Sequence, residues 1–190
     1  MSASLRVNKK LTPDEYLSRE EKALFRSEYY QGEIFVMAGG SAEHIQITHN
    51  TASLLTTQLR GKCRVFPMEM KVWIEQLETF FYPDITVVCG EIEFYKKRRD
   101  ALVNPSLIIE VLSESTKNYD KNDKFLIYQE LTSFKEYLLI HQEKAVIHQY
   151  VRKGKRNWDY LATMGLESTL ELASVKTLLK LSEIYDLVEL

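Results

Sequence analysis

Apolar and polar positions in the first part of the chain follow the periods of a short helix and then a hairpin. Thr12-Pro13-Asp14-Glu15 predicts a helix start, in which Thr12 is the N-cap and Glu15 completes a capping box. Arg26–Tyr30 and Glu33–Met37 flank the turn residues Gln31-Gly32, which predicts two antiparallel strands. The chain therefore begins as helix, strand, strand.

The rest of the chain predicts one longer helix followed mainly by strands. Apolar side chains recur at helical spacing between Ala42 and Leu59, so a helix is expected there, ending near Gly61. Strands are predicted over Cys63–Phe66, Met70–Ile74, Phe80–Val88, Ser106–Leu112, Glu136–His141, Ala145–Val151 and Trp158–Met164, and helices over Asp120–Leu131 and Leu181–Val188, the last capped by Ser182. This order predicts a mixed α/β (α+β) fold.

Length and composition fit one globular domain. The chain has 190 residues, of which 45% are hydrophobic and 27% charged. Its apolar runs are too short to span a bilayer, and Met1 to Lys10 contain no apolar signal segment. We therefore expect a cytoplasmic protein with no membrane partner.

The charge and cysteine content exclude some functions. A formal net charge of -2 argues against a protein that coats nucleic acid by bulk charge. It does not exclude an enzyme that binds nucleic acid through one local basic face. Cys63 and Cys89 are far apart in the sequence, so neither a disulfide framework nor a cysteine-rich zinc site is expected.

Glu110 is a charged residue inside an apolar strand. It lies in Leu107-Ile108-Ile109-Glu110-Val111-Leu112, a run typical of a strand covered on both faces. A buried carboxylate without a partner would cost several kcal/mol, so Glu110 must be neutralised, ion-paired or bound to a cation, unless it lies exposed at the strand end. The alternatives are a functional metal ligand and a structural ion pair.

Asp84 repeats this pattern on a second predicted strand. It follows Pro83 within Phe80–Val88, and a proline marks a strand start, an edge or a bulge, where side chains are often re-aimed. Two such strands can bring Asp84 and Glu110 to one divalent ion. Oxygen ligands favour Mg²⁺ or Mn²⁺ over Zn²⁺.

Lys124 lies near the start of the helix, predicted from Asp120, that follows the Glu110 strand. Because a strand and the next helix are usually neighbours, Lys124 can reach the two carboxylates, and Tyr128 lies on the same helix face. An ammonium group there would orient a water or stabilise a phosphate in the transition state. A solvated lysine on an exposed helix is the alternative.

These residues together resemble a known family. The matching segments are Tyr82-Pro83-Asp84, Ile109-Glu110-Val111-Leu112-Ser113-Glu114-Ser115-Thr116, Tyr119-Asp120, Lys124-Phe125 and Tyr128, with the upstream Glu28–Glu33, Met37–Ser41 and His44. They are similar to the Uma family of restriction-endonuclease-like proteins, within the PD-(D/E)XK nuclease superfamily. The superfamily places a lysine two residues after the second acid. Leu112 occupies that position here, and the resemblance assigns the lysine to Lys124.

The resemblance implies a restriction-endonuclease-like core, a central mixed sheet flanked by helices, and Mg²⁺-dependent cleavage of DNA. Asp84, Glu110 and the backbone carbonyl of Val111 would hold the metal, and Lys124 would act on the water or the phosphate. His44 and Glu33 are second-rank candidates, His44 near the phosphate or the metal and Glu33 as a third acid.

Three other functions remain compatible with the sequence. One is a non-catalytic nucleic-acid-binding module, because Leu112 replaces the strand lysine and the chain is acidic. Another is an assembly protein that keeps a nuclease scaffold, with the apolar tail Leu178–Val188 as the interface of a homodimer. The third is a metal-independent glycosidase, whose two carboxyl groups would lie about 5–10 Å apart.

Overall fold

The computed structural model describes residues 10–113 and 123–190. Its helices are α1 (Pro13–Glu20), α2 (Ala42–Gln58), α3 (Phe125–Tyr128) and α4 (Leu181–Ile184). Its strands are β1 (Ser27–Tyr30), β2 (Glu33–Val36), β3 (Cys63–Pro67), β4 (Lys71–Ile74), β5 (Thr79–Phe81), β6 (Ile85–Cys89), β7 (Ala101–Leu102), β8 (Leu107–Leu112), β9 (Glu136–His141), β10 (Val146–Arg152), β11 (Trp158–Met164), β12 (Thr169–Leu172) and β13 (Thr177–Lys180). Single 3₁₀ turns cover Glu75–Leu77 and Tyr95–Lys97.

The strands form two larger sheets and one small hairpin. The large sheet has the order β11-β10-β9-β8-β6-β3, in which β8 and β9 are parallel and the other neighbours antiparallel. The second sheet has the order β2-β1-β5-β4-β7, and β12 pairs with β13. The predicted α+β class with a mixed sheet flanked by helices is confirmed.

Alternation along β8 gives the large sheet two different buried faces. Leu107, Ile109 and Val111 pack with α2 and α4 in one apolar cluster. The intervening Ile108 and Leu112 face the opposite cluster, which also contains Phe81 of the second sheet. Glu110 has the same parity as Ile108 and Leu112, so its carboxylate enters the layer between the two sheets.

The local signals at the N-terminus are confirmed in detail. The Thr12 hydroxyl accepts from the backbone N–H of Glu15, whose carboxylate accepts from the N–H of Thr12, so the capping box is complete. The β1–β2 hairpin turns at Gln31-Gly32 as predicted, with both turn residues at positive φ.

One predicted strand is wrong, and the break within it contains Asp84. Phe80–Val88 is not continuous: it divides into β5 and β6, which belong to different sheets. The break falls at Tyr82-Pro83-Asp84, because Pro83 cannot donate a ladder hydrogen bond. The chain therefore crosses from the second sheet to the large sheet at Asp84.

The expectation for the cysteines is also corrected. Cys63 and Cys89 form a disulfide, although 26 residues separate them. They are direct partners in the antiparallel register of β3 and β6, so the sheet, rather than the sequence spacing, brings them together. The cysteines lie at one end of the large sheet, next to the cluster that packs against α2.

Two helix boundaries and the C-terminal tail also differ from prediction. Of the helix expected over Asp120–Leu131, residues 120–122 lie outside the described residues, and α3 covers Phe125–Tyr128. Helix α4 begins after Lys180, so Ser182 is inside the helix and not its cap. The β12–β13 hairpin, which precedes α4, was not predicted.

The apolar tail is largely used within the molecule. Leu179, Leu181, Ile184 and Tyr185 are buried in the cluster formed with α2 and the large sheet, while Leu187 stays exposed. The homodimer suggested by this segment remains a prediction. Across residues 10–113 and 123–190, the helices are all too short or too polar to cross a bilayer.

A charged clamp at β4 and β7 supports the second sheet and is expected to give part of the stability a pH dependence. Burial alone would raise the pKa of Asp100, but hydrogen bonds from Arg98 and Lys71 lower that pKa to about 2. The unfolded pKa is about 3.9, so this contribution is present above about pH 4 and is lost as the pH falls towards 2. Urea unfolding of Asp100→Asn should show a deficit at pH 7 that shrinks at pH 3.

Asp159→Asn is the control for this prediction, since Asp159 is exposed on β11. Its free energy of unfolding should stay close to that of the wild type at both pH values. An Asp100→Asn deficit of the same size at pH 7 and pH 3 would contradict the electrostatic explanation.

Candidate active site

The site forms where β8 extends beyond β6. Pairing between these strands ends at Ile85 and Ile109, one residue before Glu110. Beyond this point Asp84, which precedes β6, contacts β8 through its side chain and its backbone N–H. Its Oδ2 accepts from the N–H of Val111 at 2.7 Å, and its backbone N–H donates to Glu110 Oε2 at 3.3 Å. The two acids are thus held side by side.

Glu110 is buried, with 3% of its surface exposed, and its other oxygen faces α3. Glu110 Oε1 accepts from the Tyr128 hydroxyl at 3.0 Å and lies 3.4 Å from Lys124 Nζ. The spacing of Lys124 and Tyr128 on one helix face puts both groups on the same oxygen. Hydrogen bonds and an ion pair therefore compensate for burial of this charge.

Lys124 connects the two sheets. Its ammonium lies 2.9 Å from Glu28 Oε1 on β1 as well as 3.4 Å from Glu110 on β8. It also lies 5.5 Å from the ring centroid of Phe81 on β5, a favourable cation–π position. The three charged side chains are all at least nine-tenths buried, so their mutual attraction is weakly screened by solvent.

His44 is held against the other acid. The Ser41 side chain caps α2 by accepting from the His44 N–H, and His44 Nε2 lies 2.8 Å from Asp84 Oδ1. A Cβ added at Gly40 would lie 2.9 Å from the His44 ring, so a glycine is needed there for the ring to keep this position. His44 therefore contacts Asp84 directly.

A second buried carboxylate fixes the segments that carry the site. Glu20 accepts from the backbone N–H and hydroxyl of Ser27 and from the Tyr82 hydroxyl. Burial, together with the nearby Glu20, raises the pKa of Tyr82, so its hydroxyl keeps its proton and donates. Ser27 precedes Glu28, and Tyr82 lies two residues before Asp84. Glu20 therefore fixes the backbone segments that carry Glu28 and Asp84.

The backbone of Val111 also faces the acids. In a strand, the N–H and C=O of one residue point to the same side. Because the Val111 N–H donates to Asp84, its carbonyl lies on the Asp84 side of β8. The carbonyl of Leu112, in contrast, accepts from Gln142 on the opposite side.

The donor set fits a hard divalent cation. Asp84, Glu110 and the Val111 carbonyl offer oxygen atoms, and Mg²⁺ is commonly held by one or two carboxylates with water completing the coordination. Within residues 10–113 and 123–190, no group of three or more His, Cys, Asp or Glu side chains is arranged as a metal cage. One oxygen each from Asp84, Glu110 and Val111 would leave room for several water ligands around an octahedral Mg²⁺.

Four of the five predicted site side chains lie together, and one does not. Asp84, Glu110, Lys124 and His44 come together through the contacts above, whereas Glu33 is exposed beside the hairpin turn. Sequence reasoning did not single out Glu28. In the sequence Glu28 appears only within the Glu28–Glu33 stretch that resembles the family, and its contact with Lys124 follows from the packing of the two sheets.

Fold and site together define a nuclease-like α+β protein, and comparison with known proteins agrees. A family model described as "Putative restriction endonuclease", Uma2, matches residues 13–182, and the chain belongs to the Uma2 family. A crystal structure of a "putative nuclease belonging to DUF820" from Anabaena variabilis ATCC 29413 shares the fold, with a TM-score of 0.73 and 17% identity over 92% of this chain and 97% of that one.

Two similar proteins come from Synechocystis sp. (strain ATCC 27184 / PCC 6803 / Kazusa). One, named "Uncharacterized protein sll1609", is 40% identical over 90% of this chain and 97% of its own length. The other, named "Uncharacterized protein slr1290", is 31% identical over 87% of this chain and 86% of its own length. The similarity therefore extends over nearly the whole of each protein.

Proposed function

We propose that this protein is a divalent-metal-dependent endonuclease that hydrolyses DNA phosphodiester bonds. The observation that carries the proposal is the pairing of Asp84 with Glu110 at the end of β8, beside the buried Lys124. Membership of the Uma2 family supports nuclease chemistry. Mg²⁺ is the proposed ion, and Mn²⁺ would serve as a substitute.

Asp84, Glu110 and the Val111 carbonyl would hold the ion. When bound, it would polarise the phosphate and lower the pKa of an attacking water. The Val111 N–H fixes Asp84 Oδ2, and the Tyr128 hydroxyl fixes Glu110 Oε1, so both acids are oriented before substrate arrives. Such pre-organisation avoids a reorganisation cost during the reaction.

Lys124 supplies positive charge close to the acids. We assign it to the negative charge that builds up on the phosphate in the transition state, with Glu28 as the group that positions it. His44 is a positioning residue for Asp84, since its Nε2 contacts Oδ1. Over Glu28, Asp84, Glu110 and Lys124, formal charges leave an excess of negative charge that suits a cation.

A metal series tests the proposal. Supercoiled plasmid incubated with the wild type should be nicked in Mg²⁺ or Mn²⁺, and hardly at all in Ca²⁺ or EDTA. Ca²⁺ is larger and takes more ligands in looser geometry, so it fits a small oxygen site poorly. Calorimetry with Mg²⁺ or Mn²⁺ should show binding to the wild type.

Asp84→Asn, purified in the same way, is the control for contaminating nuclease. It should neither bind the metal nor nick the plasmid. If the wild type binds DNA but cleaves it in no metal, the chain is a nucleic-acid-binding module on a nuclease scaffold. Metal-independent hydrolysis of a glycoside by the wild type would instead favour the carboxylate-pair hydrolase.

A further inference from the structure

A row of polar side chains crosses the large sheet outside the proposed active site. His141 Nε2 on β9 lies 3.0 Å from His148 Nε2 on β10, and His148 Nδ1 lies 2.7 Å from the Tyr160 hydroxyl on β11. His141 pairs in register with Leu112, two residues beyond Glu110. The row is therefore on the same sheet face as Glu110, and His141 lies on the neighbouring strand two residues further along.

The histidines meet diagonally across two antiparallel strands. His148 is directly opposite Leu139, which puts it one diagonal step from His141. Side chains of this length can meet across such a diagonal. His141 and His148 are both only partly buried, so solvent reaches the row.

The spacing of the two nitrogens fits one shared metal ion. Two nitrogens that each lie about 2.0–2.1 Å from a divalent ion are about 2.9–3.4 Å apart for angles between octahedral and tetrahedral. The separation of 3.0 Å lies in this range. In the hydrogen bond the two ring nitrogens point at each other, so the rings must tilt for both lone pairs to converge on one ion at this separation.

Tyr160 completes the arrangement expected of a histidine ligand. A ligating histidine usually gives its second N–H to an oxygen, which fixes the tautomer and the ring orientation. The Tyr160 hydroxyl occupies that position at His148 Nδ1, and the Tyr160 ring stacks near the His148 ring with centroids 5.8 Å apart. With its proton on Nδ1, His148 presents a lone pair at Nε2.

The chain has few other groups that prefer late transition metals. It contains four histidines and two cysteines. Both cysteines are in the Cys63–Cys89 disulfide, His44 contacts Asp84, and His49 is exposed on α2. Among the described residues, His141 and His148 are therefore two imidazoles that the fold brings into direct contact.

We propose that His141 and His148 form a binding site for one late transition-metal ion, such as Ni²⁺ or Zn²⁺, separate from the carboxylate centre. Imidazole nitrogens favour these ions, whereas Mg²⁺ prefers the oxygen atoms of Asp84 and Glu110. Ligation through both Nε2 atoms needs both to be unprotonated, so the proton between the rings passes to Nδ1 of His141, and water fills the remaining coordination positions. The site does not depend on nuclease activity.

Calorimetric titration of the full chain with Ni²⁺ and with Zn²⁺, without reductant, tests this site. The wild type should bind one ion that His148→Ala and His141→Gln lose or bind at least about tenfold more weakly. Tyr160→Phe, which removes only the hydroxyl, should weaken binding about tenfold. Lowering the pH from 7.5 to 5.5 should also weaken it, since imidazoles ligate in the neutral form.

Two controls separate this site from the carboxylate centre. His49→Ala should bind Ni²⁺ as the wild type does. Asp84→Asn should keep the ion held by His141 and His148 even if it loses one at the carboxylate centre, and His148→Ala should retain Mg²⁺ binding. Circular dichroism of each variant verifies that it is folded. The proposal is overturned if both pair variants bind Ni²⁺ like the wild type, or if Asp84→Asn loses the ion while His148→Ala keeps it.

Discussion

Glu110→Gln is expected to lower the rate of Mg²⁺-dependent plasmid cleavage on the order of a thousandfold. Loss of an outer partner of a metal ligand costs about 10–100-fold, and Glu110 is proposed as a direct ligand, so its loss should cost more. The substitution preserves shape and lets the side chain still accept from Tyr128. Initial nicking rates at saturating Mg²⁺ measure the effect.

Glu136→Gln is the matched control. Glu136 is another fully buried glutamate, on the neighbouring strand β9, and it accepts from Gln149 and from the backbone and hydroxyl of Ser174. Its loss should change stability and leave the cleavage rate per folded molecule within about twofold, since it does not contact the proposed metal ligands. Equal loss of cleavage in both variants would show that any buried charge removal disables the protein.

Lys124→Met is expected to destabilise the metal-free protein by about 3 kcal/mol, because removing one partner from a buried ion pair leaves charge without compensation. Glu28 and Glu110 would lose the ammonium that they share. Urea unfolding in EDTA measures this change. Lys144→Met, at an exposed position, should be neutral to within about 0.5 kcal/mol.

A second substitution separates electrostatic from packing effects at Lys124. If the loss is caused by uncompensated charge, Lys124→Met/Glu28→Gln should recover part of the stability. Saturating Mg²⁺ should stabilise the single variant more than it stabilises the wild type, because the ion supplies positive charge beside Glu110. A double variant as unstable as the sum of its parts would contradict this account.

Most of the local structure could be predicted from the sequence, because the local signals agree with the tertiary fold. The capping box at Thr12 and the turn at Gln31-Gly32 specify their elements without help from the rest of the chain. The error over Phe80–Val88 has the opposite origin. Pro83 marks an interruption in the sequence, but only the packing of two sheets decides that the chain changes sheet there rather than continuing past a bulge.

The site was partly visible in the sequence for a related reason. Glu110 and Asp84 stand out because each is a charge among apolar residues. Glu28 does not stand out, since the sequence around it also suits an exposed hairpin strand. Its burial depends on Lys124, which is 96 residues away along the chain and contacts it across the sheet interface. Likewise, the Cys63–Cys89 disulfide follows from strand register rather than spacing.

The assembly of the site from separate parts would link the proposed metal binding to the packing of the two sheets against each other. Glu28 belongs to one sheet, Glu110 to the other, and Asp84 to the segment that joins them. Any opening that parts the sheets would scatter these groups. An ion that binds only while the two sheets are packed together would make such openings rarer. The population of locally opened molecules would therefore fall as the metal concentration rises.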